Sequence, residues 1–120
     1  MTLFKNYFLL LGFMLFSFNL QADTKNDEIA YLLNFVAQTQ CTYDRNGKEY
    51  SGSEARVHIQ KKYDYYEDDI KTAEDFIAYS ATKSMISGEK YQVFCEGKVK
   101  QYSADWLLQA LTLYRNKKSQ

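Results

Sequence analysis

CTYDRNGKEY, residues 41–50, is the stretch on which the reading of the fold turns: it sets a cysteine five positions before an Asn-Gly pair. Both central residues of a tight type I′ hairpin turn take positive φ, and Asn46-Gly47 is the pair that tolerates this best. Residues 41–45 and 48–50 therefore read as the arms of a short β-hairpin. Side chains alternate along a strand, so Cys41, Tyr43 and Arg45 share one side and Thr42 and Asp44 the other. The stretch is read as a turn that positions a cysteine. Arg45 is a candidate anchor beside it, for a carboxylate such as Asp75 or for an anionic group on a ligand.

Working outward, the partner of Cys41 can only be Cys95, the second of the two cysteines. Tyr91, Val93 and Cys95 alternate with Gln92, Phe94 and Glu96, the period-two pattern of a strand. Glu96-Gly97-Lys98 can turn that strand back toward Val99–Tyr102, giving a second hairpin. An even pair of cysteines in a small exported chain points to a disulfide. The loop it closes spans about 55 residues, for which chain entropy gives about 4 kcal/mol of stabilisation. A catalytic redox pair would place its sulfurs as Cys-X-X-Cys with a lowered thiol pKa, and these two are far apart in the chain.

Helical periodicity fills the rest. Ile29, Leu32, Leu33 and Val36 form one buried stripe, predicting a helix over about 25–38, with Thr24 and Asp27 at its start. Ser51-Gly52-Ser53-Glu54 announces a second helix with Ala55, Ile59, Tyr63, Tyr66 and Ile70 inward and His58 and Lys62 at the stripe's edge. Thr72 caps a third, which buries Ala73, Phe76, Ile77, Ser80 and Ala81 and whose region closes at Ser87-Gly88. Ser103 is read as the cap of a fourth, with Leu107, Ala110, Leu111 and Tyr114 inward and Trp106 beside them. The order α-ββ-α-α-ββ-α predicts an α+β fold: four helices packed on a small antiparallel sheet made of two short hairpins, with one disulfide across the sheet.

The first 22 residues carry one charge, Lys5, then an almost unbroken apolar run from Tyr7 to Phe18, and end at the small Ala22. That is the pattern of a secretory signal peptide, cleaved between Ala22 and Asp23. The apolar run is too short to span a bilayer, which takes roughly twenty residues. Residues 23–120 are expected to form a single domain, exported to the periplasm and holding no membrane anchor after cleavage.

Past the leader, fourteen basic residues face fifteen acidic ones, with signs interspersed, so no basic face for nucleic acid is expected. Structural zinc needs about four Cys or His ligands, and the chain has one His and two cysteines assigned to each other. DYYEDDIKTAED (64–75) has the acids of a calcium loop without its glycine or register. No phosphate-binding or dinucleotide glycine motif is present, and no cofactor or metal is expected.

Ten of the eleven tyrosines lie past the leader, against three phenylalanines. Tyrosine is a stiff amphipathic contact residue enriched at interfaces, and it also fills small cores with its hydroxyl at the water. Tyr43, Arg45, Tyr50 and Trp106 are the candidate binding residues, if they form one exposed patch. The alternative is a small hydrolase-like enzyme around His58, the sole imidazole, with Lys62, Tyr63, or a serine among Ser80, Ser84 and Ser87 and an orienting acid from Glu74 or Asp75.

EIAYLLNFV (28–36), CTYDRNGKEY (41–50), EARVHIQKKY (54–63), IKTAEDFIAYSATKS (70–84), SGEKYQVFC (87–95) and WLLQALTLYR (106–115) together resemble the YfeK-like proteins, exported bacterial proteins of unknown function. The resemblance implies a periplasmic protein of a Gram-negative bacterium and carries over no activity. The expectation is therefore a non-catalytic binding or scaffolding domain of the cell envelope, with a protein or peptidoglycan partner.

Overall fold

The computed structural model describes residues 24–120; the signal-peptide expectation for residues 1–22 lies outside them. Helix α1 covers residues 24–38. It is followed by β1 (Thr42–Arg45), β2 (Lys48–Tyr50), α2 (Gly52–Tyr66), α3 (Ala73–Ser80), β3 (Gln92–Phe94), β4 (Gln101–Tyr102) and α4 (Ser103–Lys118), with a single 3₁₀ turn at Glu67–Asp69. The expected order and class are those found.

Asn46 and Gly47 both take positive φ, at 57° and 77°, and close the first hairpin. Its register pairs Tyr43 with Tyr50 and Arg45 with Lys48. The four strands run β2-β1-β3-β4, all antiparallel, so the two hairpins join through β1 and β3. Thr42 lies opposite Phe94. One step further out, Cys41 and Cys95 face each other with Cα atoms 4.3 Å apart, and they are disulfide-bonded. The bond therefore joins the two middle strands of the sheet, at one end of their pairing.

Side-chain alternation sends Tyr43 and Val93 inward, where they are 2% and 0% exposed. Around them pack Leu32 and Val36 of α1, Phe76 of α3, Leu107 and Leu111 of α4, and Ile70 from the connection ahead of α3, all essentially inaccessible. Removing each such side chain from water contributes about 1.5–3 kcal/mol. An aromatic seam runs through this core, from Tyr114 to Tyr31 to Phe35 to Trp106 to Tyr43, with successive ring centroids 4.3, 6.1, 4.6 and 5.8 Å apart. The Tyr43 hydroxyl ends the seam in a 2.9 Å hydrogen bond with Ser103 Oγ, so the one polar atom that this ring carries inside is satisfied.

Helix starts follow the capping signals. Ser51 Oγ accepts the Glu54 N–H while the Glu54 carboxylate accepts the Ser51 N–H, a reciprocal capping box. At α3, Thr72 Oγ1 accepts the Asp75 N–H and Asp75 accepts the Lys71 N–H. Three expectations need correction. Ser103 does not cap α4 with its side chain; it is the first helical residue, and its hydroxyl is turned inward to Tyr43. The third helix stops at Ser80, because Thr82 Oγ1 donates to the Ile77 carbonyl, the acceptor that Ala81 N–H also uses. Residues 83–90 then fold into a loop closed by a Lys83–Lys90 bridge, with Ser84 Oγ accepting from Ile86 and Ser87 and with Gly88 at φ 75°. Gly88 thus serves that loop and does not end a helix. The return strand is also shorter than expected, since Val99 is 89% exposed and pairing begins at Gln101.

Across the helix ends, Arg115 of α4 holds two carboxylates at once. Its Nε and Nη2 donate to Glu28 of α1 at 2.7 and 2.9 Å, and its Nη1 and Nη2 donate to Glu74 of α3 at 2.8 and 2.9 Å. This pairing holds the Glu74 carboxyl below its ordinary range and secures the Arg115 proton still further.

Two outcomes follow for stability. Cys41→Ser with Cys95→Ser is expected to lower unfolding free energy by up to about 4 kcal/mol, read from denaturant curves, because the unfolded chain regains the freedom of the long loop. Gly52 is packed so tightly that an added Cβ would lie 2.3 Å from the Val36 carbonyl oxygen and 2.8 Å from Thr39 Cγ2. Gly52→Ala is therefore expected to destabilise by about 1–3 kcal/mol through overpacking, although glycine to alanine in an open helix stabilises by about 0.5–1 kcal/mol. A raised thermal midpoint in this variant would show that α1 and α2 are not in contact there.

Candidate functional site

The first hairpin, α2 and the 83–91 segment bring cations and tyrosines together in one cluster. Arg45 ends β1 and Tyr50 ends β2, diagonal neighbours on one face of the hairpin, and the Arg45 guanidinium lies 5.3 Å from the Tyr50 ring centroid. Lys48 approaches the same ring at 5.7 Å. His58 and Lys62 are one turn apart on α2 and so point the same way. The His58 ring meets Tyr50 edge-on at 5.2 Å. Lys62 Nζ donates to the Lys83 carbonyl at 2.6 Å and to the Tyr91 hydroxyl at 3.3 Å.

Electrostatics tie these groups into one site. Burial holds the Lys62 ammonium below its ordinary range, and the charges of Arg45 and Lys83 push it the same way. His58 is also lowered, first by burial, then by Arg45 and Lys61, with Glu54 opposing. Tyr91 is raised by burial, and Arg45 draws it back. The positive charge of Arg45 is thus felt by all three. Among the described residues the ion pairs are Lys100 with Asp44, and Arg115 with Glu28 and Glu74; none neutralises Arg45 or Lys62.

The four candidate binding residues do not form one patch. Arg45 and Tyr50 belong to the cluster, whereas Tyr43 is buried and Trp106 is 8% exposed. Tyr43 and Trp106 belong to the aromatic seam, because the cysteine-bearing side of β1 is its inward side. Arg45 escapes that burial by standing at the strand's end. It makes no ion pair with Asp75, whose carboxylate is occupied by the Lys71 N–H.

The catalytic alternative is not assembled either. His58 has no hydrogen bond to a serine or carboxylate among the described residues. Ser84 Oγ accepts from its own loop, Ser87 donates to Asn46, and Ser80 lies buried with its hydroxyl unpartnered. Glu74 is held by Arg115. Lys62 and Tyr63 diverge from the helix, Lys62 to the 83–91 segment and Tyr63 edge-on to Phe76 at 5.4 Å. Nucleophile, base and orienting acid therefore do not meet. No cluster of three or more metal-ligating side chains occurs among the described residues, and the acidic run Glu67–Asp69 is solvent-facing.

The sequence missed Tyr91 as a site residue: it was legible only as one of the inward positions of a strand. Its role depends on the β1–β3 pairing, which brings it next to residues some 30 to 45 positions away and leaves no local mark. The Arg115 clamp was missed for the same reason, Glu28 being 87 positions from it.

These features define a small disulfide-bonded α+β domain with a cluster of cations and tyrosines, in which the candidate catalytic residues do not come together. The chain belongs to the family of unknown function DUF5329, whose model matches residues 23–115. No curated protein and no solved structure matches it.

The lowered His58 sets a pH dependence. The folded state binds the His58 proton more weakly than the unfolded chain does, so stability rises with pH through the imidazole range and falls as pH drops below about 6.5. Glu74 and Asp44, both lowered by their cationic partners, contribute stability present above the ordinary carboxylate range and lost as pH falls through it. Just below pH 6.5 the slope is thus expected to come from His58, and His58→Gln should flatten the thermal-midpoint profile there. An unchanged profile would place the imidazole in open water.

Proposed function

We propose that this protein is an exported, non-catalytic binding domain of the bacterial cell envelope, akin to the YfeK-like proteins its sequence resembles, and that the cluster of Arg45, Tyr50, His58, Lys62 and Tyr91 is its contact surface. The observation that carries this reading is the convergence of Arg45 and Lys62 with no carboxylate paired to either, beside two tyrosine rings. Like charges gathered without a counter-ion raise the free energy of the unliganded domain, and a partner's anionic group relieves it. Arg115, by contrast, is paired with two acids of its own chain. The apolar leader and the disulfide fit export to an oxidising compartment, the periplasm. There the partner is an envelope protein or a peptidoglycan strand.

The test is photo-crosslinking in intact cells from a reactive residue placed at Lys61, beside the cluster, with adducts identified by mass spectrometry. One defined adduct is expected, lost in Arg45→Glu and kept in His58→Ala. No adduct, or one indifferent to Arg45→Glu, would count against the cluster as contact surface. A cellular phenotype lost in His58→Ala while the adduct persists would establish chemistry at the imidazole in place of binding.

A further inference from the structure

We infer that the open face of the sheet carries a separate site, whose ligand is a neutral pyranose sugar of a glycan. Strand register builds it. Asp44 lies opposite Glu49 and Gln92, and Gln92 lies opposite Tyr102, so these four side chains form one row across the sheet. Asp44 alternates with Tyr43 and Arg45, which puts the row on the face turned away from the core and from the Arg45 cluster. Tyr102 is 44% exposed, and Phe94, its diagonal neighbour on the same face, is 51% exposed. Beside the row stand the Asn46-Gly47 turn and Glu89-Lys90, tied together where Ser87 donates to Asn46 Oδ1 at 2.6 Å. Sheet, turn and loop border an open cavity of about 310 Å³, lined by Asp44, Asn46, Glu89, Lys90, Gln92 and Tyr102. That is the small end of the range for ligand pockets, ~300–1,000 Å³.

The lining selects the class of ligand. Charge balances here: Asp44 is bound by Lys100 at 2.6 Å, and Glu89 stands next to Lys90. An anion would meet the two acids as well as the two lysines, so the cavity as a whole favours neither sign. A metal ion would find Asp44 already engaged by Lys100 and the Gly47 N–H. A nucleobase could stack on an exposed tyrosine, but its strand brings phosphates that ask for a basic groove. What the lining offers is a mixture of donors and acceptors. Among the described residues the Gln92 amide, Asn46 Nδ2, the Glu89 carboxylate and the Lys90 ammonium make no hydrogen bond. Hydroxyl groups, each able to donate and to accept, suit such a mixture. The rings supply the other half of the match. One face of a pyranose is a patch of C–H bonds whose slight positive charge meets the negative face of an aromatic ring. Tyr102 and Phe94 present two such rings beside the polar groups, and the Lys90 ammonium, 4.9 Å from the Tyr102 centroid, already exploits that negative face.

The experiment is an NMR titration of the full chain, disulfide intact, following the side-chain amide signals of Asn46 and Gln92 and the ring signals of Tyr102. The probes are the trisaccharides of N-acetylglucosamine and of glucose, with sorbitol, a polyol without a ring, and inorganic phosphate as comparisons. Saturable shifts at all three residues are expected with at least one trisaccharide and with neither comparison. The tighter trisaccharide identifies the source as an amino-sugar strand or a plain glucan. Tyr102→Ala is expected to weaken binding about tenfold, and Tyr102→Phe to keep most of it. Gln92→Leu is expected to weaken it about threefold to tenfold, the value of a neutral hydrogen bond. If Tyr102→Ala fails to fold, Gln92→Leu carries the test, its melting temperature being checked first. No saturable shift with either trisaccharide, an equal response to sorbitol or phosphate, or undiminished binding in a folded Tyr102→Ala or Gln92→Leu variant would overturn the inference. A partner crosslinked from Lys61 without saccharide binding would leave the proposed contact surface standing and remove this site. Saccharide binding without a crosslinked partner would do the reverse.

Discussion

The pairing of β1 with β3 is the constraint from which the rest of the molecule is organised. Each belongs to its own local hairpin, and neither hairpin alone buries enough apolar surface to persist in water. Joined, they make a four-stranded sheet whose inner face presents Tyr43 and Val93 to the helices. The entropy of closing the long loop between them opposes that union, and the Cys41–Cys95 bond removes most of this cost from the unfolded chain before folding begins. Because the bond sits at one end of the strand pair, it fixes register as well as proximity: a slip by one residue would turn Tyr43 and Val93 out to solvent.

Against the inner face of that sheet the helices are tied in two ways. The aromatic seam joins α1, α4 and β1 through ring contacts that fix orientation as well as burying area. The Arg115 fork joins α1, α3 and α4 beside the Tyr114–Tyr31 start of the seam, where Glu28 is buried and would be left without its counter-charge if the arginine were lost. The tyrosines consequently divide. Tyr43 and Tyr91 are buried, Tyr31 and Tyr114 seal the seam, and Tyr65, Tyr79 and Tyr102 face solvent.

What could be read from the sequence was whatever local physics encodes. Asn46-Gly47 dictates its turn, Ser51 with Glu54 and Thr72 with Asp75 dictate their helix starts, and the apolar stripes of α1 and α4 dictate the buried faces. Errors arose where a short polar side chain had a tertiary alternative. Ser103 found Tyr43 instead of its own helix, and the Thr82 hydroxyl folds back onto the Ile77 carbonyl where α3 ends. The cluster was half legible: Arg45, Tyr50, His58 and Lys62 each stood out as residue types, but their convergence on Tyr91 comes from strand pairing across the chain. Residue type also misled for Tyr43 and Trp106, since large amphipathic rings serve a small core as readily as an interface.

The sheet's outer strands have a further bearing on recognition. β2 has three residues, including Lys48 and Glu49, and β4 has two. Strand ends this brief and this charged give an incoming extended segment almost no ladder to extend, which guards the domain against edge-to-edge aggregation. It also rules out main-chain β-augmentation as an economical way to hold a partner. A partner bound as proposed would then be held by side chains, whose selectivity can drift by point substitution while the backbone framework stays as it is.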